Sequence, residues 1–214
     1  MYIRGQSTVV EGRQSVGRLL DKMSSELVIR RAFIWPLGGT VMDIRLEVLK
    51  PEDEEQFILD NQAAFNFGAE SYFNEEELKQ QHEEEGQIIS RETILNSIHH
   101  KGSVTYRIVN EKDEKIGGII LNLKGDLGEL EIFFVIPNSE SKGVGQAAWK
   151  QVEKIHPEIK VWETVTPYFE KRNIHFYVNK LGFHIVEFYN EFNKDITMPE
   201  ELDGMFKFQK VIKK

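Results

Sequence analysis

The chain contains no cysteine, which excludes disulfides, thiolate metal sites and a cysteine nucleophile. No apolar run approaches the roughly 20 residues needed to cross a bilayer as a helix, so no membrane partner is expected. An apolar stretch with a cleavage site is missing from residues 1–41, which makes them a poor secretory signal. A Gly-x-x-x-x-Gly-Lys-Ser/Thr run is missing too, and with it the ATPase type of P-loop. Internal repeats and low-complexity segments are absent. Basic charge is in short supply: 27 Lys and Arg stand against 35 Asp and Glu, for a net charge of -8. That balance argues against nucleic acid as a partner and permits a cationic one. Together these absences lead to the expectation of a cytoplasmic protein.

What is present is ordinary for a globular chain: 214 residues, 40% apolar and 29% charged, enough for one sizeable core. The charge is unevenly placed. Residues 1–41 carry a balance of +3, which leaves -11 for the rest. This first segment shows only a weak amphipathic stretch, Val16 to Val28. Gly38-Gly39 can be encoded by a purine-rich ribosome-binding sequence, with Thr40 and Val41 separating it from Met42. The expected division is therefore an N-terminal extension, 1–41, read as translated leader or accessory helix, and a folded domain, 42–214.

From Met42 the pattern becomes regular. Asp43 to Leu49 alternates as a strand does, and Lys50-Pro51-Glu52-Asp53 opens a helix running to about Phe65. Asn74 to Gly86 reads as an acid-rich helix and Glu92 to His99 as a third. Val104 to Val109 and Ile116 to Leu123 form a hairpin across Asn110 to Glu114, and Leu127 to Ile136 is the next strand. Gly143 to Ile155 is a helix with Val144, Ala147, Ala148, Val152 and Ile155 on its buried side. Lys160 to Val165 is a strand, and Pro167 to Leu181 a helix closed by Gly182. Phe183 to Phe188 and Met205 to Val211 are the last strands. The expected fold is α/β (α+β): a mixed, mostly antiparallel central sheet of about seven strands flanked by helices.

Chemical information concentrates between Glu129 and Leu181. An apolar strand, Glu129 to Pro137, leads through Ser141-Lys142-Gly143-Val144-Gly145-Gln146 into a helix, an arrangement suited to phosphate. Successive amides from Ser141 to Gln146 can point into one concavity, and Gly143 and Gly145 let the backbone approach an anion closely. Gly143-Val144-Gly145-Gln146-Ala147-Ala148 also matches the dinucleotide pattern G-x-G-x-x-A, with Glu163 as the ribose-binding acid. That pattern wants its first glycine directly after the strand. Here six residues, Pro137 to Lys142, intervene, and antiparallel strands precede them.

The same stretch resembles the GNAT acetyltransferases. Their motif is strand, proline, then Arg/Gln-x-x-Gly-x-Gly/Ala at a helix start; Val135-Ile136-Pro137 and Lys142-Gly143-Val144-Gly145 fit it. Asn173, Phe176-Tyr177 and Leu181-Gly182-Phe183 match a second motif. One departure stands out: Glu140 occupies the place where the family usually has Arg or Gln, with Lys142 nearby as a cation. The resemblance implies acetyl-CoA as acyl donor, no metal, and transfer to the primary amine of a small molecule or a protein. A catalytically silent acyl-CoA sensor of the same fold is the alternative, and room is left for a homodimer. It implies that main-chain groups of Phe133, Phe134 and Val135 pair with the pantetheine arm, and that Ser141 to Gln146 hold the pyrophosphate. A main-chain N–H there would polarise the thioester carbonyl. Tyr177 matches the position that protonates the departing thiolate, although Ile174, Tyr177, Val178 and Leu181 also form an apolar stripe of core type. Asn173 either contacts CoA or only caps its helix. Glu129 and Glu131, about 7 Å apart on one face of a regular strand, are the candidate bases. The acid run Glu75 to Glu85 is a solvated face or an attractor of a cationic amine. Phe65, Phe67, Tyr72 and Phe73 line a cleft or fill the core. His99 and His100 suit a helix end, and His175 and His184 have no partner at metal-ligand spacing.

Overall fold

The computed structural model describes residues 44–74, 76, 86–137, 143–194 and 204–213, with the backbone of 31–32. The stretch Val16 to Val28, the start expected at Met42 and most of the acid-rich helix expected over 74–86 lie outside these residues.

The described residues include eight strands: β1 (Arg31–Ala32), β2 (Ile44–Val48), β3 (Ser103–Asn110), β4 (Lys115–Lys124), β5 (Leu127–Val135), β6 (Val161–Pro167), β7 (His184–Tyr189) and β8 (Met205–Val211). Seven of them form one sheet in the order β2-β3-β4-β5-β6-β8-β7, and β1 lies beside β5. Within the seven every pairing is antiparallel except β5 with β6. The β3–β4 hairpin closes where Asn110 Oδ1 accepts from the main-chain N–H of Lys112 and of Glu114. Such local acceptance is why Asn favours turns.

Among the described residues, four α-helices accompany the sheet. A 3-10 turn (Pro51–Asp53) leads into α1 (Glu54–Ala69). This helix passes the expected end at Phe65 because Phe65, Gly68 and Ala69 continue its buried face. Helix α2 (Arg91–His99) starts at Ser90, whose hydroxyl accepts from Thr93 N–H at 3.0 Å, an ordinary N-cap. In α3 (Val144–Ile155) the buried face is Val144, Gly145, Ala148, Trp149 and Val152. Ile155, expected inside, is 43% exposed, because Trp149 fills the space next to the sheet instead. The last helix is α4 (Lys171–His175), which widens into a π-helical turn (Phe176–Leu181). Its start differs from the expectation at Pro167. Thr166 and Pro167 still pair with Phe206 and Met205 of β8, so strand geometry holds them. Gly182 closes the turn as expected, at φ 77°.

The sheet separates two cores. Leu130, Phe133 and Val135 of β5 pack with Val144, Trp149, Trp162, Tyr177 and Phe208. Ile132 and Phe134 pack with Phe57, Ile58, Phe65 and Ile94 of α1 and α2 on the other side.

Candidate active site

Strand β5 changes its partners along its length. Its first half pairs with β6 in parallel, Leu127 with Val161 through Glu129 with Glu163. Beyond that the ladder stops, apart from Thr164 Oγ1 donating to Leu130 O at 2.9 Å. On its other edge β5 keeps pairing with β4, but one step on β4, Ile120 to Leu121, faces two on β5, Leu130 to Ile132. Glu131 is the extra residue of a β-bulge, which bends and twists its strand away from regular pairing. Leu130 and Ile132 therefore enter opposite cores although they are two apart. The strict alternation that would place Glu129 and Glu131 on one face is broken between them. Glu131 is buried, whereas Glu129 is partly exposed at the paired end.

With β6 gone, the second half of β5 presents a main-chain edge. The backbone of Arg31–Ala32 pairs there in parallel with Ile132 and Phe133, so this edge accepts an extended segment. Phe133, Phe134 and Val135 are all buried, with the Phe133 ring 5.7 Å from that of Phe176 on the π turn.

The start of α3 lies next along the chain. Gly143 adopts φ 113° at the N-cap, a left-handed conformation that a side chain would strain. Ser141 and Lys142, together with Glu140, lie outside the described residues. Val144 and Gly145 are buried. The Gln146 side chain is tied to the π turn, its Nε2 donating to Lys180 O at 3.0 Å.

Helix α4 supplies Asn173 and Tyr177. Asn173 Nδ2 donates to Glu170 Oε2, which also accepts from Thr166 Oγ1 at 2.9 Å. A carboxylate only accepts, so one N–H of the Asn173 amide is committed to Glu170, and its carbonyl oxygen and second N–H are what it offers a ligand. Tyr177 is fully buried, its ring 5.7 Å from Phe183 and 5.2 Å from Phe208. It sits on the π turn, a distortion frequent at functional sites.

Sequence reasoning missed Glu170. Its position three residues before Asn173, just past Pro167, was the available signal, but acid at a helix start reads as a solvated first turn. Other residues have settled partners. Glu163 bonds Gln209 and pairs with Lys207 at 3.1 Å. His99 meets Glu54 at 3.0 Å, His100 meets Asn122 and His175 meets Asn179. Tyr72 and Phe73 pack edge-on to Phe169 after β6, Phe65 is buried and Phe67 is 42% exposed. No helix among the described residues is long and apolar enough to cross a membrane.

The model of the "Acetyltransferase (GNAT) family" matches residues 61–183. A protein of Bacillus subtilis (strain 168), "Uncharacterized protein YrkN", is 38% identical over 181 residues, covering 79% of this chain and 94% of its own. The fold is similar to a PaiA N-acetyltransferase from Thermoplasma acidophilum in complex with coenzyme A, with TM-score 0.59 and 20% identity over 80% of this chain and 100% of that one. It is also similar to the ribosomal-protein-S18-alanine N-acetyltransferase from Escherichia coli, with TM-score 0.55 and 12% identity over 78% and 92%. A spermidine N-acetyltransferase from Vibrio cholerae in complex with CoA and spermine gives TM-score 0.53 and 13% identity over 78% and 95%.

Proposed function

Since the chain belongs to the GNAT acetyltransferase family, we propose that it moves an acetyl group from acetyl-CoA directly to a primary amine. The observation that carries this reading is the main-chain edge of β5 beyond the Glu131 bulge, released by β6 and able to pair with an extended segment. A pantetheine arm carries amide groups that can pair with such an edge in place of a strand. The anionic end would lie at the start of α3, where Gly143 opens the turn and the helix terminus favours negative charge. Bound there, acetyl-CoA supplies an activated acyl carbon.

The roles follow from the chemistry of acyl transfer. The amine nitrogen forms a bond to the acyl carbon as the carbon–sulfur bond breaks; one proton leaves the amine and one is taken up by the departing sulfur. A main-chain N–H within Phe133 to Val135, on the edge away from β4, donates to the acyl oxygen as it gains charge. Glu129 or Glu131 takes the amine proton. Tyr177 gives its proton to the sulfur. Asn173, fixed by Glu170, presents an acceptor to a donor on the arm. Ser141 and Lys142 complete the anion cradle with Gly143 to Gln146, and residues 42–214 form the catalytic domain.

Thermal shift tests this reading, run with acetyl-CoA beside NAD and ATP on the whole chain and on a chain beginning at Met42. Acetyl-CoA at about 100 times its Kd should stabilise by about 2.7 kcal/mol, with no effect from NAD or ATP. Absence of that shift would overturn the donor assignment, and failure of the Met42 chain to fold would overturn the division at 42. Release of free thiol across an amine panel that includes spermidine then reports transfer. Binding with no release on any amine would favour the acyl-CoA sensor.

A further inference from the structure

Of the four carboxamides on α1, the three that are buried or half-buried are treated differently. Gln62 Nε2 donates to Ile89 O at 3.2 Å. Asn66 donates to Gln87 Oε1 at 2.7 Å and accepts from Ile88 N–H at 3.0 Å. These two stitch the helix to the segment before α2. Asn61 lies between them and Phe57 and is 0% exposed, yet neither its Nδ2 nor its Oδ1 has a hydrogen-bond partner among the described residues. An amide in this state has lost its hydration and received nothing in return. A leucine would fill the position without that penalty, so the polar group calls for an explanation.

Its place on the helix points to one. Phe57, Asn61 and Phe65 follow at steps of four, so they share one line along α1. At one end of this line the Phe57 ring meets Phe134 of β5 edge-on at 5.1 Å, and a Cβ on Gly118 of β4 would come within 2.3 Å of the Phe57 ring. Toward the other end, the chain just past α1 places Phe73 5.5 Å from Phe169, beyond the end of β6. The line therefore starts at Phe134, on the half of β5 that β6 has left. Asn61 sits about 6 Å along the axis from Phe57, one turn further along the same line.

We propose that Asn61 is a substrate-binding residue, its Nδ2–H donating to the carbonyl oxygen of the acetyl thioester from the α1 side of the sheet. The proposal rests on the acetyl-CoA reading above and adds a side-chain donor to the main-chain donors of β5. The surroundings select the ligand group. Phe57, Ile58, Phe65, Ile132 and Phe134 form an apolar core here, in which an ammonium group would find no countercharge from Asn61. A neutral carbonyl needs only a donor, and one aimed at an oxygen that gains negative charge serves the transition state more than the ground state. No bond to Asn61 forms or breaks.

Calorimetric titration of the full chain with acetyl-CoA and with CoA tests this, because CoA has the same arm and no carbonyl at the sulfur. Wild type should bind acetyl-CoA more tightly than CoA. Asn61→Leu should weaken acetyl-CoA binding by about five- to tenfold, leave CoA within twofold, and raise the melting temperature of the free protein. Asn61→Ala, which leaves space instead of adding bulk, guards against a leucine that does not fit. Unchanged acetyl-CoA affinity in both variants, or equal weakening of both ligands, would overturn the role of Asn61 alone. Wild type that binds neither ligand would instead bring down the acetyl-CoA reading, and this proposal with it.

Discussion

The two halves of β5 are built to opposite rules. Leu127 to Glu129 is paired on both edges, to β4 and β6, and Gly128 lies so close to Trp162 that a Cβ would come within 2.3 Å of the indole. Trp162 in turn stacks edge-on against Trp149 at 5.1 Å. Past Glu131 the strand is held by β4 and, among the described residues, pairs on its other side with the two-residue β1. The difference shows how a parallel pair can be opened at one end without losing the sheet. The closed half fixes where the strands start to diverge, and the open half inherits that position.

The strongest way to break this contrast is to wedge the closed half. Gly128→Val should cost about 3 kcal/mol through overpacking against Trp162, read as a lower midpoint in urea with little change in slope. An unaltered midpoint would show that the indole yields and that this end is not rigid. Next in size is Tyr177→Phe, which tests the open half. Loss of the acid should lower kcat about a hundredfold, or about 2.7 kcal/mol in the barrier, with acetyl-CoA affinity kept. A fall in melting temperature with kcat intact would leave Tyr177 as a core residue only.

The smallest effect concerns the anchor of the helix that roofs the open half. Asp53, at the start of α1, accepts from Arg107 Nε at 2.6 Å and pairs with Lys115 at 2.7 Å, while Arg107 also meets Asp60 at 2.8 Å. Burial pushes the Asp53 carboxyl up, but the bonds from Arg107 and Lys115 outweigh it and hold the group below the usual carboxylate range. A carboxyl with a depressed folded value stabilises fully above its unfolded value, near about 4, and loses that contribution as pH falls toward the folded one. Wild-type stability should therefore decline below about pH 4, and Asp53→Asn should remove that part of the decline. At neutral pH the same change should cost about 2 kcal/mol, since Arg107 keeps Asp60 but loses a charged partner. Equal acid sensitivity in the two proteins would separate α1 from this anchor.

Much of the frame was legible because its signals are periodic or local. Alternation marked β2, the polar turn Asn110 to Glu114 marked the β3–β4 hairpin, and Gly143 and Gly182 announced the turns at which φ is 113° and 77°. The bulge was not legible. Ile132 to Val135 is one apolar run after Glu131, so nothing in the composition shows that Leu130 and Ile132 enter opposite cores. Asn61, Gln62 and Asn66 look alike in sequence, and only tertiary placement separates the amides that bind Ile89 and Gln87 from the one that binds neither. Asn173 was found by its motif, but the orientation of its amide is dictated by Glu170, which the motif did not include.

The π turn from Phe176 to Leu181 bears on how the chain tolerates a change of length. Its hydrogen bonds reach one residue further than those of an α-helix, so the turn stores one residue more than the span between His175 and Gly182 requires. Deleting a residue among Val178, Asn179 and Lys180 would tighten it to an α-turn while Phe183 and β7 keep their register. Elsewhere in α4 the same deletion would rotate every following side chain by about 100°. Here the slack is placed just after Tyr177, on the side away from the strand it faces.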